Sequence, residues 1–275
     1  MTFGTRLRAA MEDRGPLCAG IDPHPALLDA WGMTDSAFGL EKFAMTAVEA
    51  LAETVAVVKP QSAFFERHGA KGIAALERVA SAARDLGALV VLDVKRGDIG
   101  STAQAYADAY LDRNSPLAVD AITASPFLGF GSLAPMIDTA VANDAGVFVL
   151  ALTSNPEGPQ VQHARTADGR TVAGAVLDAI AACNLGAEPL GSVGAVVGAT
   201  IGESAENLQV NGPLLVPGIG AQGGTPEDVR RIFGSALPNV LPSSSREILV
   251  TGPDKASLRA AAERLATTFA TLVGA

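Results

Sequence analysis

The sequence predicts a single (β/α)8 barrel spanning 1–275, and three observations carry that expectation. Short β-branched apolar runs alternate with longer Ala/Leu/Glu/Arg stretches at helical spacing, eight such runs fit within the 275 residues, and no low-complexity linker or solenoid-period repeat divides the chain. Near-continuous apolar runs suit parallel strands covered on both faces, and eight strand–helix units in this length are what a closed barrel requires. With 48% hydrophobic and 18% charged residues, the chain can bury one large core. A doubly wound open sheet is the alternative that the same alternation allows.

Taken in order, the strand candidates are LCAGID (17–22), VAVVKP (55–60), ALVVLDVK (88–95), AVDAITA (118–124), GVFVLAL (146–152), VGAVVGAT (193–200), LLVPGIG (214–220) and NVLPSSS (239–245). Helical patterns fall between them at 41–54, 72–86, 102–111, 172–182 and 226–233, and 255–273 closes the chain. The longest irregular stretch, 153–171, follows the fifth strand. In a barrel that is a loop on the catalytic face, either a lid or a solvated insertion.

Composition narrows the function. A formal charge of −9 argues against nucleic acid, whose phosphates need a basic surface. An anionic substrate would have to be drawn by a few cations focused in a cleft. The longest apolar run, AGVFVLAL (145–152), is too short to span a bilayer, so neither a membrane nor a secretory segment is expected. Cys18 and Cys183 have no metal-ligand or disulfide-framework spacing, and a reduced cytoplasm is the simpler setting. His24, His68 and His163 share no spacing either, and read as structural or surface residues rather than ligands or bases.

The informative charges stand at strand ends, which face the mouth of a barrel. Strand one ends in Asp22, strand two in Lys59, strand three in Asp93 and Lys95 with Asp98 beyond, and strand eight leads to Arg246. Asp93 and Lys95 are two apart and should share the barrel interior, with Arg96 pointing outward. A carboxylate between two ammoniums favours ionisation of all three and holds an ammonium ready to donate a proton. A structural ion-pair network is the bland reading of the same residues. A glycosidase-like carboxylate pair fits poorly with a lysine between the acids. After strand seven, PGIGAQGGTPEDV (217–229) brings glycines to a helix start, where backbone amides, Gln222 and Arg246 could grip a phosphate. Ser154, in LTSNP, has no partnered base and reads as a hydrogen-bonding residue.

Together, GIDP, VVKPQ, LDVKRGDIGST, LTSNP, GIGAQGG and the late Arg246 resemble the orotidine 5′-phosphate decarboxylases, in particular their longer bacterial subgroup. The resemblance runs from Asp22 to Arg246 in the right order; TASPFLG after strand four departs mildly from it. It implies a cofactor-independent and metal-free decarboxylase in which Asp93 and Lys95 are the central pair and Lys59 the preceding lysine of the charged network. It further implies that Asp98 is lent to the partner's site in a homodimer, that Asp22 and Thr102 hold ribose hydroxyls, that Ser154 meets the pyrimidine edge, and that Gln222 and Arg246 hold the phosphate. Two rivals stand beside it. A metal-dependent sugar-phosphate lyase would carry a carboxylate at the end of strand two, where this chain has Lys59. A nucleotide-binding sensor without catalysis gains little from buried charges that are costly to desolvate.

Overall fold

In the computed structural model, which describes residues 1–275 apart from Glu203, Ala221, Gln222 and Ala275, eight parallel strands close into a barrel in chain order. They are β1 (Cys18–Ile21), β2 (Val57–Pro60), β3 (Leu89–Arg96), β4 (Ala121–Ala124), β5 (Gly146–Leu152), β6 (Val193–Val197), β7 (Leu214–Val216) and β8 (Val240–Ser244). Each lies within or overlaps a run expected from the sequence. Pairing of Cys18 with Ser243 seals β1 against β8 and removes the open-sheet alternative.

Strand periodicity sorts the side chains into two cores. On β3, Val90 and Leu92 face the surrounding helices, whereas Leu89 and Val91 face the barrel interior. The inward column continues upward as Asp93. The same switch from apolar to polar occurs on the neighbouring strands: Val57 is followed inward by Lys59, Ala121 by Thr123 and Leu241 by Ser243. The lower barrel is therefore a packed apolar plug, and the layer above it is polar.

The helices at 226–233 and 255–273 appear with the expected bounds, as Pro226–Phe233 and Lys255–Val273. Two further helices, Phe3–Arg14 and Ala134–Ala142, have no counterpart among the sequence expectations. The first closes the barrel floor. Phe3, Leu7, Ala10 and Met11 recur at helical spacing and join the interior core, with the Phe3 ring edge-on to Phe148 at 6.0 Å between centroids. Gly146 permits that approach, because a Cβ there would meet the Phe3 ring at 2.3 Å. Among the described residues no helix is long and apolar enough to cross a membrane.

Candidate active site

A cavity of about 360 Å³ opens at the C-terminal ends of the strands, within the size range of small-molecule sites. Six of the residues singled out from the sequence line it: Asp22, Lys59, Asp93, Lys95, Ser154 and Arg246. Among the described residues its lining carries three cations, Lys59, Lys95 and Arg246, against the two carboxylates Asp22 and Asp93. A chain of net charge −9 thus presents a locally positive cleft, as anion capture requires.

Asp93 is the hub. Its Oδ2 accepts a hydrogen bond from Lys59 Nζ at 3.0 Å and its Oδ1 one from Lys95 Nζ at 2.5 Å. Burial alone would raise the Asp93 carboxyl, but the Lys59 and then the Lys95 ammonium overcome it and hold the group well below the usual carboxylate range. Burial likewise opposes the charge on Lys59, yet Asp93 and, further off, Asp22 push its ammonium above the ordinary lysine value. Asp93 and Lys59 are therefore ionised throughout the neutral range. Below them in the barrel, burial pushes the Cys18 thiol up to about 12, so it stays neutral. The two lysines differ in access. The Lys59 side chain is 8% exposed and that of Lys95 47%, which makes Lys95 the ammonium that a bound molecule can touch.

The backbone at this point is not regular strand. Between two registered pairs, Leu92 with Ile122 and Arg96 with Ala124, β3 advances four residues while β4 advances two. Lys95 lies in this bulge with φ 44°, in the left-handed region that non-glycine residues rarely adopt. Thr123, the one β4 residue between those pairs, donates from Oγ1 to Asp93 Oδ1 at 2.9 Å and accepts from the Lys95 N–H at 2.9 Å. Arg96 points outward as expected: its guanidinium bonds Glu66 at 2.6 Å and lies 5.4 Å from the centre of the Tyr106 ring.

Around the hub, β1 and β8 approach closely, since a Cβ on Gly20 would sit 2.6 Å from Ser245 Cβ. Three polar atoms there, Asp22 Oδ1, Ser244 Oγ and Ser245 Oγ, are buried without a hydrogen-bond partner. The loop after β7 turns through Gly218 at φ 96°, a cavity-lining position that only glycine adopts readily. It leads into Pro226–Phe233, whose start is fixed by a capping box between Thr225 and Asp228. Arg246 also lines the cavity. The expectation placed on Gln222 lies outside the described residues.

Two expected residues are not in this cavity. Asp98 and Thr102 stand on the rim beyond β3, where Asp98 Oδ1 accepts from the Ile99 N–H at 2.8 Å and Thr102 is exposed on the first turn of the helix Gly100–Leu111. Ile99, Phe127 and Leu128 are exposed apolar side chains on the turns after β3 and β4. Sequence reasoning missed Thr123, Gln61 and His24 in the cavity wall. Gln61 directly follows Lys59-Pro60 and can be found from the strand-end rule, whereas His24, edge-on to Phe64 at 4.3 Å between ring centroids, carries no signal of its own. The 153–171 loop is internally bonded, with Gln162 Oε1 accepting from the Thr153 N–H at 2.9 Å, and it sends Thr153, Ser154 and Asn155 into the lining. Among the described residues no three His, Cys, Asp or Glu side chains are grouped as metal ligands.

A closed barrel with an ammonium–carboxylate–ammonium centre in a cavity at its mouth has the layout of a barrel enzyme, whose site lies at the C-terminal ends of the strands. The sequence model of the orotidine 5′-phosphate decarboxylase / HUMPS family matches residues 15–261. The chain belongs to that family, and it is an enzyme of the carboxy-lyase class. It is 64% identical over 265 residues to the orotidine 5′-phosphate decarboxylase of Salinispora arenicola, covering 96% of this chain and 95% of the relative. It is 59% identical over 274 residues to that of Streptomyces coelicolor, covering 99% of each. A Streptomyces avermitilis protein crystallised as a candidate orotidine 5′-phosphate decarboxylase superposes with a TM-score of 0.97 at 58% identity, over 100% of this chain and 96% of the other. The Leishmania donovani OMP decarboxylase gives 0.78 at 32% identity, with 100% of both chains covered.

Proposed function

We propose that this chain decarboxylates orotidine 5′-phosphate to uridine 5′-monophosphate and CO2 in the cytoplasm, as a step of de novo pyrimidine biosynthesis, with Lys95 as the residue that stabilises and protonates the reacting carbon. The observation that carries the reading is the half-exposed Lys95 ammonium, seated on an ionised Asp93 beside a buried Lys59. Loss of CO2 from C6 breaks the C6–carboxyl bond and leaves the electron pair on a carbon with little resonance help. A fixed positive charge beside that carbon is the largest help a protein can give. Lys95 Nζ then donates a proton to C6 and regains one from solvent. Asp93 lies near the departing carboxylate, where it either raises the energy of the bound substrate or holds Lys95 in place. The chemistry needs no cofactor or metal ion.

Binding divides along the cavity wall. Asp22, with its unpartnered Oδ1, takes a ribose hydroxyl; Ser154 takes the pyrimidine edge; Arg246, with Gln222 and the glycine turn after β7, takes the phosphate. Asp98 acts across a homodimer interface at the rim, each chain lending it to its partner's site, and Thr102 holds a ribose hydroxyl; the exposed Ile99, Phe127 and Leu128 provide apolar surface for that interface.

The purified chain, incubated with orotidine 5′-phosphate, should change the ultraviolet absorbance as the pyrimidine loses its carboxylate, and should do so undiminished after EDTA. Full loss in EDTA with recovery in magnesium would favour a metal-dependent lyase instead. Arg246→Ala should weaken binding of uridine 5′-monophosphate by about 10-fold or more, since a charge-assisted phosphate contact is worth roughly 1.5–3 kcal/mol. Unchanged affinity by calorimetric titration would move the phosphate site elsewhere.

A further inference from the structure

Thr123 ties both ends of Lys95 to one oxygen. Its hydroxyl accepts from the Lys95 backbone N–H and spends its one hydrogen on Asp93 Oδ1, the same oxygen that receives Lys95 Nζ. The result is a closed ring of contacts, from the Lys95 amide through Thr123 Oγ1 and Asp93 Oδ1 back to the Lys95 ammonium.

The ring sits where the backbone most needs support. β3 carries its two excess residues here, and the Lys95 amide lies within the interrupted stretch of β3–β4 pairing, in a left-handed conformation that persists only when its surroundings fix it. Thr123 is 1% exposed, so water is a poor substitute for its hydroxyl. As a β-branched residue on a strand it also holds its hydroxyl in a restricted rotamer. From this geometry we infer that Thr123 is a positioning residue, whose hydroxyl sets where the Lys95 ammonium stands relative to the reacting carbon. The inference rests on the reading of Lys95 as proton donor.

Thr123→Val removes the hydroxyl and keeps the shape. It should lower kcat for orotidine 5′-phosphate by about 10²-fold, the scale of a roughly 1 Å misplacement of a reacting group, while KM and the affinity for uridine 5′-monophosphate stay within about threefold. Thr123→Ser, which restores the hydroxyl, should keep kcat within about threefold of wild type. A residue that only supports the fold would lower the melting temperature without this split between kcat and KM and without rescue by serine. A kcat loss of less than about tenfold in T123V, a loss carried by KM, or a T123S as slow as T123V overturns the inference. Should T123V fail to fold, the comparison of T123S with Thr123→Ala decides it by the same limits. Lys95→Ala separates the two levels: if it stays active, the reading of Lys95 fails, whereas an inactive K95A beside a fully active T123V defeats only the role of Thr123.

Discussion

Lys95→Ala is expected to lose more than the roughly 10²–10⁴-fold typical of removing a general acid, because the same ammonium also supplies the charge that steadies the carbanion. The fold should survive. The Lys95 side chain is half open to the cavity, and Asp93 keeps its contact with Lys59 at 3.0 Å after the substitution. Uridine 5′-monophosphate should therefore still bind, held by residues on other strands. The measurement is a single-turnover rate beside a product-binding isotherm. A variant that retains a tenth of the wild-type rate would remove Lys95 from the centre of the mechanism, and one that loses binding and rate together would mean that the site itself had collapsed.

Restored activity in a mixture of two dead variants is the second large effect expected. Asp98 lies past Gly97, outside the lining of its own cavity, as the proposed role in a neighbouring barrel requires. Lys95→Ala and Asp98→Ala should each be nearly inactive alone. After subunit exchange, a heterodimer would hold one site with both lesions and one with neither, and activity should return to a quarter of wild type when exchange is statistical: half the dimers are mixed, and each mixed dimer has one intact site of two. A mixture that stays dead although exchange is proven, or a chain that is monomeric and fully active at assay concentration, would show that Asp98 works within its own barrel.

How much of this was legible in the sequence differs from strand to strand. β3 announces itself fully: apolar at 89–92, then Asp93 and Lys95 at the spacing that shares one face, which is why the hub could be located before the fold was known. Yet the rule used, strict alternation, does not describe the backbone there, since Lys95 sits in a bulge with φ 44° and is returned to the interior side by its contacts rather than by the pleat. Thr123 could not be singled out. A threonine in an apolar strand is unremarked until the opposite strand is known, and its role depends on the offset in register between β3 and β4. The helix Phe3–Arg14 is hard to single out for a related reason: its apolar residues Phe3, Leu7, Ala10 and Met11 are interrupted by Gly4, Thr5, Arg6 and Arg8, and only the open floor of a barrel explains why that stripe is worth burying. Asp98 and Thr102 stand out by motif, but they lie on the rim rather than in the cavity, and spacing along the chain does not distinguish the two.

The buried hub also bears on evolution and engineering. An ammonium and a carboxylate removed from water, Lys59 and Asp93, cost the folded state more than apolar residues of the same volume would, even when they are well paired. Selection for thermal stability alone would therefore tend to erase Lys59 and Asp93, and stabilised variants obtained without an activity screen should be enriched in apolar replacements at these positions. The apolar layer immediately beneath, Cys18, Val57, Val91 and Ala121, is the part of the barrel that can be repacked to offset that cost, since it supports the charged layer without touching the substrate.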